Sequence, residues 1–340
     1  MSKIELPSPK TQKNQKFYLD NDRIKDRILS FFVLNTSYTF HVILYIFMFD
    51  THCHLNFSAF DGILEKVIFE AKKAGVEKIV IPGTDVKTSK KAVAITQKYE
   101  GIYAAVGIHP HHVKEIQNSN VKTQNYNLKL KIDEIEKLLK EPKVVAVGEI
   151  GLDRYIYQKT KYENYQIDEE FIALQKEIFL TQLKLAKKYK KAVIIHNRKA
   201  KTDLLEILNN NRSLVTKNVV FHCCEPDFDL LNFAKKHHIY IGVDGDVTYD
   251  QKKQEFVKKI PLSLLVLETD SPFLTPRIEH LRGEIVNTSE VKKEKIAKFP
   301  NTPKNLSLIA QKVAEIKGKN VKKIMEVTKE NGKKLFKNIK

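Results

Sequence analysis

Eight short runs of β-branched and other apolar residues recur along this chain, at 47–49, 78–81, 103–107, 144–147, 192–195, 219–221, 239–243 and 264–267. Stretches with apolar residues at helical spacing lie between them, at 63–74, 89–99, 133–139, 169–189, 200–209, 227–237 and 251–258. The 169–189 stretch shows the pattern well, with Phe171, Leu174, Ile178, Leu185 and Ala186 on one face. Strand and helix alternating eight times predicts a parallel sheet closed on itself, a single-domain (β/α)8 TIM barrel, with a last helix at 305–317 packed outside. The 340 residues suffice for one such domain. Three polar stretches, 118–131, 155–167 and 283–300, read as insertions, and insertions after barrel strands collect at the face where active sites form. The second holds Tyr155, Tyr157, Tyr162 and Tyr165 among Arg154, Lys159 and Lys161. That mixture suits base stacking and phosphate contact, and equally suits a solvated loop.

Residues 1–47 do not conform to the alternation. The 30–49 run is mostly apolar and just long enough to cross a bilayer. Ser30, Asn35, Thr36, Ser37, Thr39 and His41 make it a poor span. Its end is also needed as the first barrel strand, and no small-residue cleavage site follows as a signal peptide requires. A chain starting at Met48 would be a complete barrel. Residues 1–47 are therefore expected to be an N-terminal extension, either a misassigned start or a poorly ordered tail, with residues 48–340 as the enzyme. Intact mass of the native protein distinguishes the two. The three cysteines, Cys53, Cys223 and Cys224, form no disulfide framework, so a cytoplasmic location is expected. The net charge of +18 favours polyanionic partners, although a generally Lys-rich chain would show the same excess.

The ends of the strands carry the chemistry. Strand one leads into His52 and His54, whose i, i+2 spacing points both side chains the same way in extended backbone. Strand four ends on Glu149, strand five on His196, strand six on His222 and strand eight on Asp270, and strand three delivers His109. A buried core histidine explains any one of these, but not their recurrence at the catalytic rim of a barrel. Imidazoles mixed with carboxylates suit Zn, Mn or a similar ion rather than an all-oxygen Mg site. Six ligands exceed what one ion needs. Two ions would use the set, with Glu149 as the bridge, His52, His54 and Asp270 on one ion, and His196 and His222 on the other. Asp270 could also orient the attacking water or take its proton.

Several stretches resemble the TatD family of metal-dependent deoxyribonucleases: FDTHCHL at 49–55, GIHPH at 107–111, GEIGLD at 148–153, HNR at 196–198, FHC at 221–223, ETDSPFLTP at 268–276 and NTP at 301–303. The resemblance covers residues 48 to about 340. It implies a TIM barrel, metal-dependent phosphodiester hydrolysis with Glu149 and Asp270 as catalytic groups, and two divalent ions (Zn, Mn or Mg). The family's metal residues fall on His52, His54, Glu149, His196, His222 and Asp270, and its positions beside the site on His109 and Arg198, assigned here to phosphate contact. DNA, as a single strand or an end, is the implied substrate, with no obligatory protein partner and no membrane. One departure stands out. The family continues FHC with Phe-Ser-Gly, whereas this chain has Cys224-Glu225-Pro226, and an acidic side chain there is expected to weaken phosphate binding. Two other readings remain: a hydrolase of small amides, esters or lactones on the same barrel, and a non-catalytic nucleic-acid-binding barrel.

Overall fold

The computed structural model describes residues 47–117, 121–163, 165–215, 218–277, 300–337 and 339. Eight parallel strands follow one another in chain order: β1 Met48–Asp50, β2 Val76–Pro82, β3 Ile102–Val106, β4 Val144–Asp153, β5 Ala192–Arg198, β6 Val219–Phe221, β7 Tyr240–Val243 and β8 Leu265–Leu267. Every neighbouring pair is parallel, with register shifts in the β1–β2, β3–β4 and β4–β5 pairs. The ring closes where the Thr51 N–H donates to the Leu267 carbonyl at 3.1 Å, joining the end of β1 to β8. Between and after the strands lie helices α1 Leu64–Lys73, α2 Val86–Lys98, α3 Lys114–Gln117, α4 Val121–Leu138, α5 Glu169–Tyr189, α6 Lys201–Asn210, α7 Phe228–His237, α8 Gln251–Lys259, α9 Leu306–Lys317 and α10 Val321–Leu335. This is the expected (β/α)8 barrel.

Local chemistry explains the helix starts. Asp85 accepts from the Thr88 N–H while Thr88 Oγ1 returns a contact to the Asp85 backbone, a complete capping box for α2. Asp168, Asp227 and Asp250 cap α5, α7 and α8 in the same sense. The helices bury their apolar faces against the outside of the sheet in one continuous cluster. A second cluster fills the barrel itself, with Phe49, Val80, Tyr103, Ala105, Val145, Ala146, Ala192, Ile194, Val220 and Val266 pointing inward. Leu335 and Phe336, at the end of α10, plug its lower mouth, and the Phe336 ring meets Phe49 at 5.8 Å. The packed lower half leaves the C-terminal ends of the strands as the open end of the barrel.

Two elements differ from the sequence expectation. The 118–131 stretch, expected as a loop insertion, is largely helix, continuing into the expected 133–139 segment as one element. Its exposed Tyr126 and Leu130 explain why no strong apolar stripe marks it. Helix α10 was not anticipated, because its buried positions include Thr328, Asn331 and Gly332, which read as surface residues. The 155–167 stretch forms a loop without regular structure over its described residues. Residues 1–46 and most of the 283–300 stretch lie outside the described residues. Among the described residues, no helix is long and apolar enough to cross a membrane.

Candidate metal centre

The end of β1 is tied to the end of β8 by one buried carboxylate. Asp50 Oδ1 accepts from the Thr269 N–H at 3.0 Å and the His52 N–H at 3.3 Å, while Oδ2 accepts from the Thr269 hydroxyl at 2.6 Å. The Asp270 N–H then donates to the His52 carbonyl at 2.9 Å, and the His54 N–H to the Ser271 carbonyl at 2.7 Å. Asp270 sits at φ 50°, a left-handed conformation that this web of bonds enforces. His52, His54 and Asp270 consequently face one point. His52 Nε2 and His54 Nε2 are 3.1 Å apart. Glu149 Oε2 lies 3.5 Å from both, and Asp270 Oδ1 lies 3.6 Å and 3.5 Å from them. Four donors tetrahedrally placed about 2.1 Å from one ion would be separated by about 3.4 Å, so the spacing fits.

Strand β4 supplies the other half. Its register shifts between Val147 and Ile150, and Gly151 (φ +146°) runs so close to β5 that any Cβ would strike the His196 carbonyl. The shift aims Glu149 into the barrel mouth, where its second oxygen, Oε1, meets other imidazoles: His196 Nδ1 at 2.8 Å, His109 Nε2 at 3.3 Å and His222 Nε2 at 3.7 Å. His222 Nε2 is also 3.8 Å from Asp270 Oδ1. Three overlapping donor groups result: His52, His54 and Glu149; His52, His222 and Asp270; and His109, Glu149 and His196. All six sequence-proposed ligands thus converge, with one carboxylate oxygen of Glu149 toward each side.

His109 and Arg198 occupy different positions. His109 Nδ1 accepts the His111 N–H at 3.0 Å, which leaves the proton on Nε2, directed at Glu149 Oε1. His109 therefore serves as a hydrogen-bond donor in this arrangement. Arg198 lines the cavity with its guanidinium over the Tyr155 ring at 3.9 Å and NH1 on the Tyr157 hydroxyl at 3.3 Å. The loop tyrosines are largely committed: Tyr157 donates to Asp153, Tyr162 pairs with His112 and Glu115, and Tyr165 packs on His111. Glu225, the acidic departure, lines the same cavity. Its carboxylate accepts from Asn197 Nδ2 at 3.2 Å and from the Lys199 N–H at 3.1 Å, bracing the turn that carries Arg198.

Motif residues without an assigned role in the sequence complete the site. Asp153 Oδ2 meets His196 Nε2 at 3.0 Å, and Glu268 Oε1 meets His222 Nδ1 at 2.9 Å. Carboxylates behind imidazoles fix ring orientation and raise ligand basicity. The only signal for them was their place within the 148–153 and 268–276 motifs.

The donor chemistry suits divalent cations. Burial pushes His54 down to about 4 and His52 well below the usual histidine range, with neighbouring His222 adding to the effect on His52, so both present lone pairs. Burial alone would raise Glu149, but His109 and His222 hold it well below the usual carboxylate range. Burial opposes charge on His196 and His222 too. Asp153 and Glu149 nevertheless lift His196 to about 9, and Glu268 and Glu149 lift His222 to about 10. Burial drives Asp270 well above its ordinary value. Protein groups alone can satisfy these buried carboxylates only by gathering protons, and divalent ions would replace those protons.

A (β/α)8 barrel with a buried imidazole–carboxylate cluster at the C-terminal ends of its strands has the architecture of a metal-dependent hydrolase. The chain belongs to the TatD family: the family described as TatD related DNase matches residues 49–337. It is 33% identical over 291 residues to the uncharacterized metal-dependent hydrolase YabD of Bacillus subtilis, covering 85% of this chain and 98% of that protein. It is 29% identical over 276 residues to the deoxyribonuclease Tat-D of Schizosaccharomyces pombe, covering 78% and 85%. The crystal structure of YjjV, a TatD homologue from Escherichia coli, superposes with a TM-score of 0.69 at 27% identity, covering 85% of this chain and 97% of that one.

Proposed function

We propose that this hydrolase cleaves DNA phosphodiester bonds with two divalent ions (Zn, Mn or Mg) held by His52, His54, Glu149, His196, His222 and Asp270. The observation that carries the proposal is Glu149, whose Oε2 faces His52 and His54 while Oε1 faces His196 and His222. A carboxylate so placed would offer one oxygen to each of two ions. Bound ions would supply positive charge for the scissile phosphate and acidify the attacking water. The protein's groups do the rest. Asp270 orients that water and takes a proton at its carboxylate. The His109 Nε2–H holds a phosphate oxygen or Glu149, whichever the bound state offers. Arg198, braced by Tyr155, Tyr157 and Glu225, anchors a phosphate edge. The net charge of +18 and the named activity of the fission yeast relative support a nucleic-acid substrate.

We assign this activity to residues 48–340, since the first barrel strand begins at Met48 and the family match at residue 49. The free cysteines suit a cytoplasmic setting. The deciding experiment is hydrolysis of a labelled single-stranded DNA oligonucleotide by the full chain with Mg, Mn and Zn, beside His52→Ala and Asp270→Asn. Metal-dependent shortening lost in both variants is expected. Persistence of cleavage in both would sink the assigned site. Absence of DNA cleavage together with turnover of p-nitrophenyl esters would move the chain to the small-ester reading.

A further inference from the structure

The cavity over the donor cluster, about 760 Å³, has an aromatic wall that hydrolysis itself does not use. Phe57 lies flat on the His54 ring, with centroids 4.3 Å and planes 18° apart. Phe273 stands edge-on to Phe57 at 6.0 Å and to His54 at 6.2 Å. Both phenyl rings line the cavity together with Glu149, His222, Asp270 and Arg198. Phe273 is 50% exposed. A single exposed phenylalanine needs no explanation by itself, but this one is held in place. Its N–H donates to the Asp270 carbonyl at 2.9 Å. Fully buried Asn301 donates from Nδ2 to the carbonyls of Thr269 at 2.9 Å and Phe273 at 2.7 Å. The backbone that presents Asp270 to the centre therefore also sets where the Phe273 side chain leaves the chain at the cavity lip. Across the barrel, at the end of β5, the Arg198 guanidinium has a face against Tyr155, which suits its N–H edge to an anion rather than its face to a base.

We propose that Phe273, backed by Phe57, is a nucleobase shelf: the base of the nucleotide joined to the scissile phosphate stacks on the Phe273 ring. The shelf rests on the phosphodiesterase reading above. Aromatic rings accept every base, because each presents a π-face, so the shelf grips without reading sequence. It acts mainly in binding, since the stacked base does not change during hydrolysis.

The test compares two labelled oligomers of equal length, one oligothymidylate and one built entirely of abasic tetrahydrofuran phosphates, with the full chain loaded with Mn. The unmodified protein is expected to show a KM lower by about 5- to 100-fold for the thymidylate oligomer, the range stacking on one aromatic ring provides. In Phe273→Ala that ratio should fall toward one, with kcat moving less than KM, and Phe273→Tyr should restore it. A ratio unchanged in Phe273→Ala would place the base elsewhere and overturn the shelf while leaving the nuclease standing. Equal KM values in the unmodified protein would do the same. Cleavage of neither oligomer by metal-loaded protein would overturn the phosphodiesterase reading and the shelf with it. Because Phe273 is half exposed, the alanine variant should fold normally, which its thermal melt can verify.

Discussion

At the scale of single residues, the site depends on groups that never face the cavity centre. Glu268 is fully buried, accepts from the Cys223 N–H at 2.6 Å and holds His222 Nδ1, so that Nε2 turns toward Glu149 and Asp270. Glu268→Gln keeps the shape but weakens the charge behind His222. It is expected to lower divalent-metal affinity by about 10- to 100-fold, as supporting carboxylates do elsewhere. Competition against a chromophoric chelator measures this, and an unchanged affinity would show that Glu268 serves only the fold. The convergence of the six proposed ligands was legible because strand ends can be located from apolar runs and six of the eight carry a His, Glu or Asp. The roles of Asp50, Asp153 and Glu268 were not, since each acts through a partner on another strand or its following turn. Which imidazole nitrogen faces inward was likewise invisible. His109 was assigned to phosphate contact, yet the direction of its proton follows from a backbone N–H two residues on.

At the scale of elements, α5 shows how a helix can set a strand end. Gln175 and Gln182, two helical turns apart on one face, are both fully buried. Gln175 accepts the Asp153 N–H at 2.9 Å and donates to the Asp153 carbonyl at 3.1 Å, at the end of β4. Gln182 does the same for Ile108 beyond β3, at 2.7 Å and 3.0 Å. Each amide stands in for a missing sheet neighbour where the strands splay toward the site. Gln182→Leu would leave both Ile108 backbone groups buried and unpaired, next to His109. A loss of about 2 kcal/mol or more is expected in chemical denaturation, since each unmet buried group costs about 1–3 kcal/mol. A denaturation midpoint within error of the unmodified protein would refute it. Helix α5 itself was plain in the sequence from its apolar spacing, but its two glutamines read as surface residues. The same blindness hid α10, whose Asn331 donates to the Leu262 and Leu265 carbonyls and whose Gly332 lets Phe49 come close. Buried polar and small side chains have no periodic signature, because their burial is justified by one tertiary partner each.

At the scale of the whole molecule, a barrel that hydrolyses a polyanion should respond to salt differently from one that hydrolyses a small neutral ester. The chain carries a net charge of +18, and cations such as Arg198 and Lys199 lie at the cavity rim or beside it. Each phosphate neutralised on a single strand releases counterions and contributes about −0.7 to the slope of log affinity against log salt. With two to four phosphates held, kcat/KM on an oligonucleotide should fall along a line of slope about −1.4 to −2.8 between 50 and 200 mM salt, at a fixed free concentration of divalent ion. The same titration with a neutral ester should stay flat, since no phosphate chain is engaged and the buried centre is little screened. The two substrates therefore separate effects of salt on the charged surface from effects on the metal centre. A flat line for the oligonucleotide would mean that the basic excess is solvated helix surface with no part in binding, and that the strand is held by the centre and its aromatic lip alone. A steep line for both substrates would instead indicate that salt displaces the divalent ions, and would shift attention from the surface to the buried histidines.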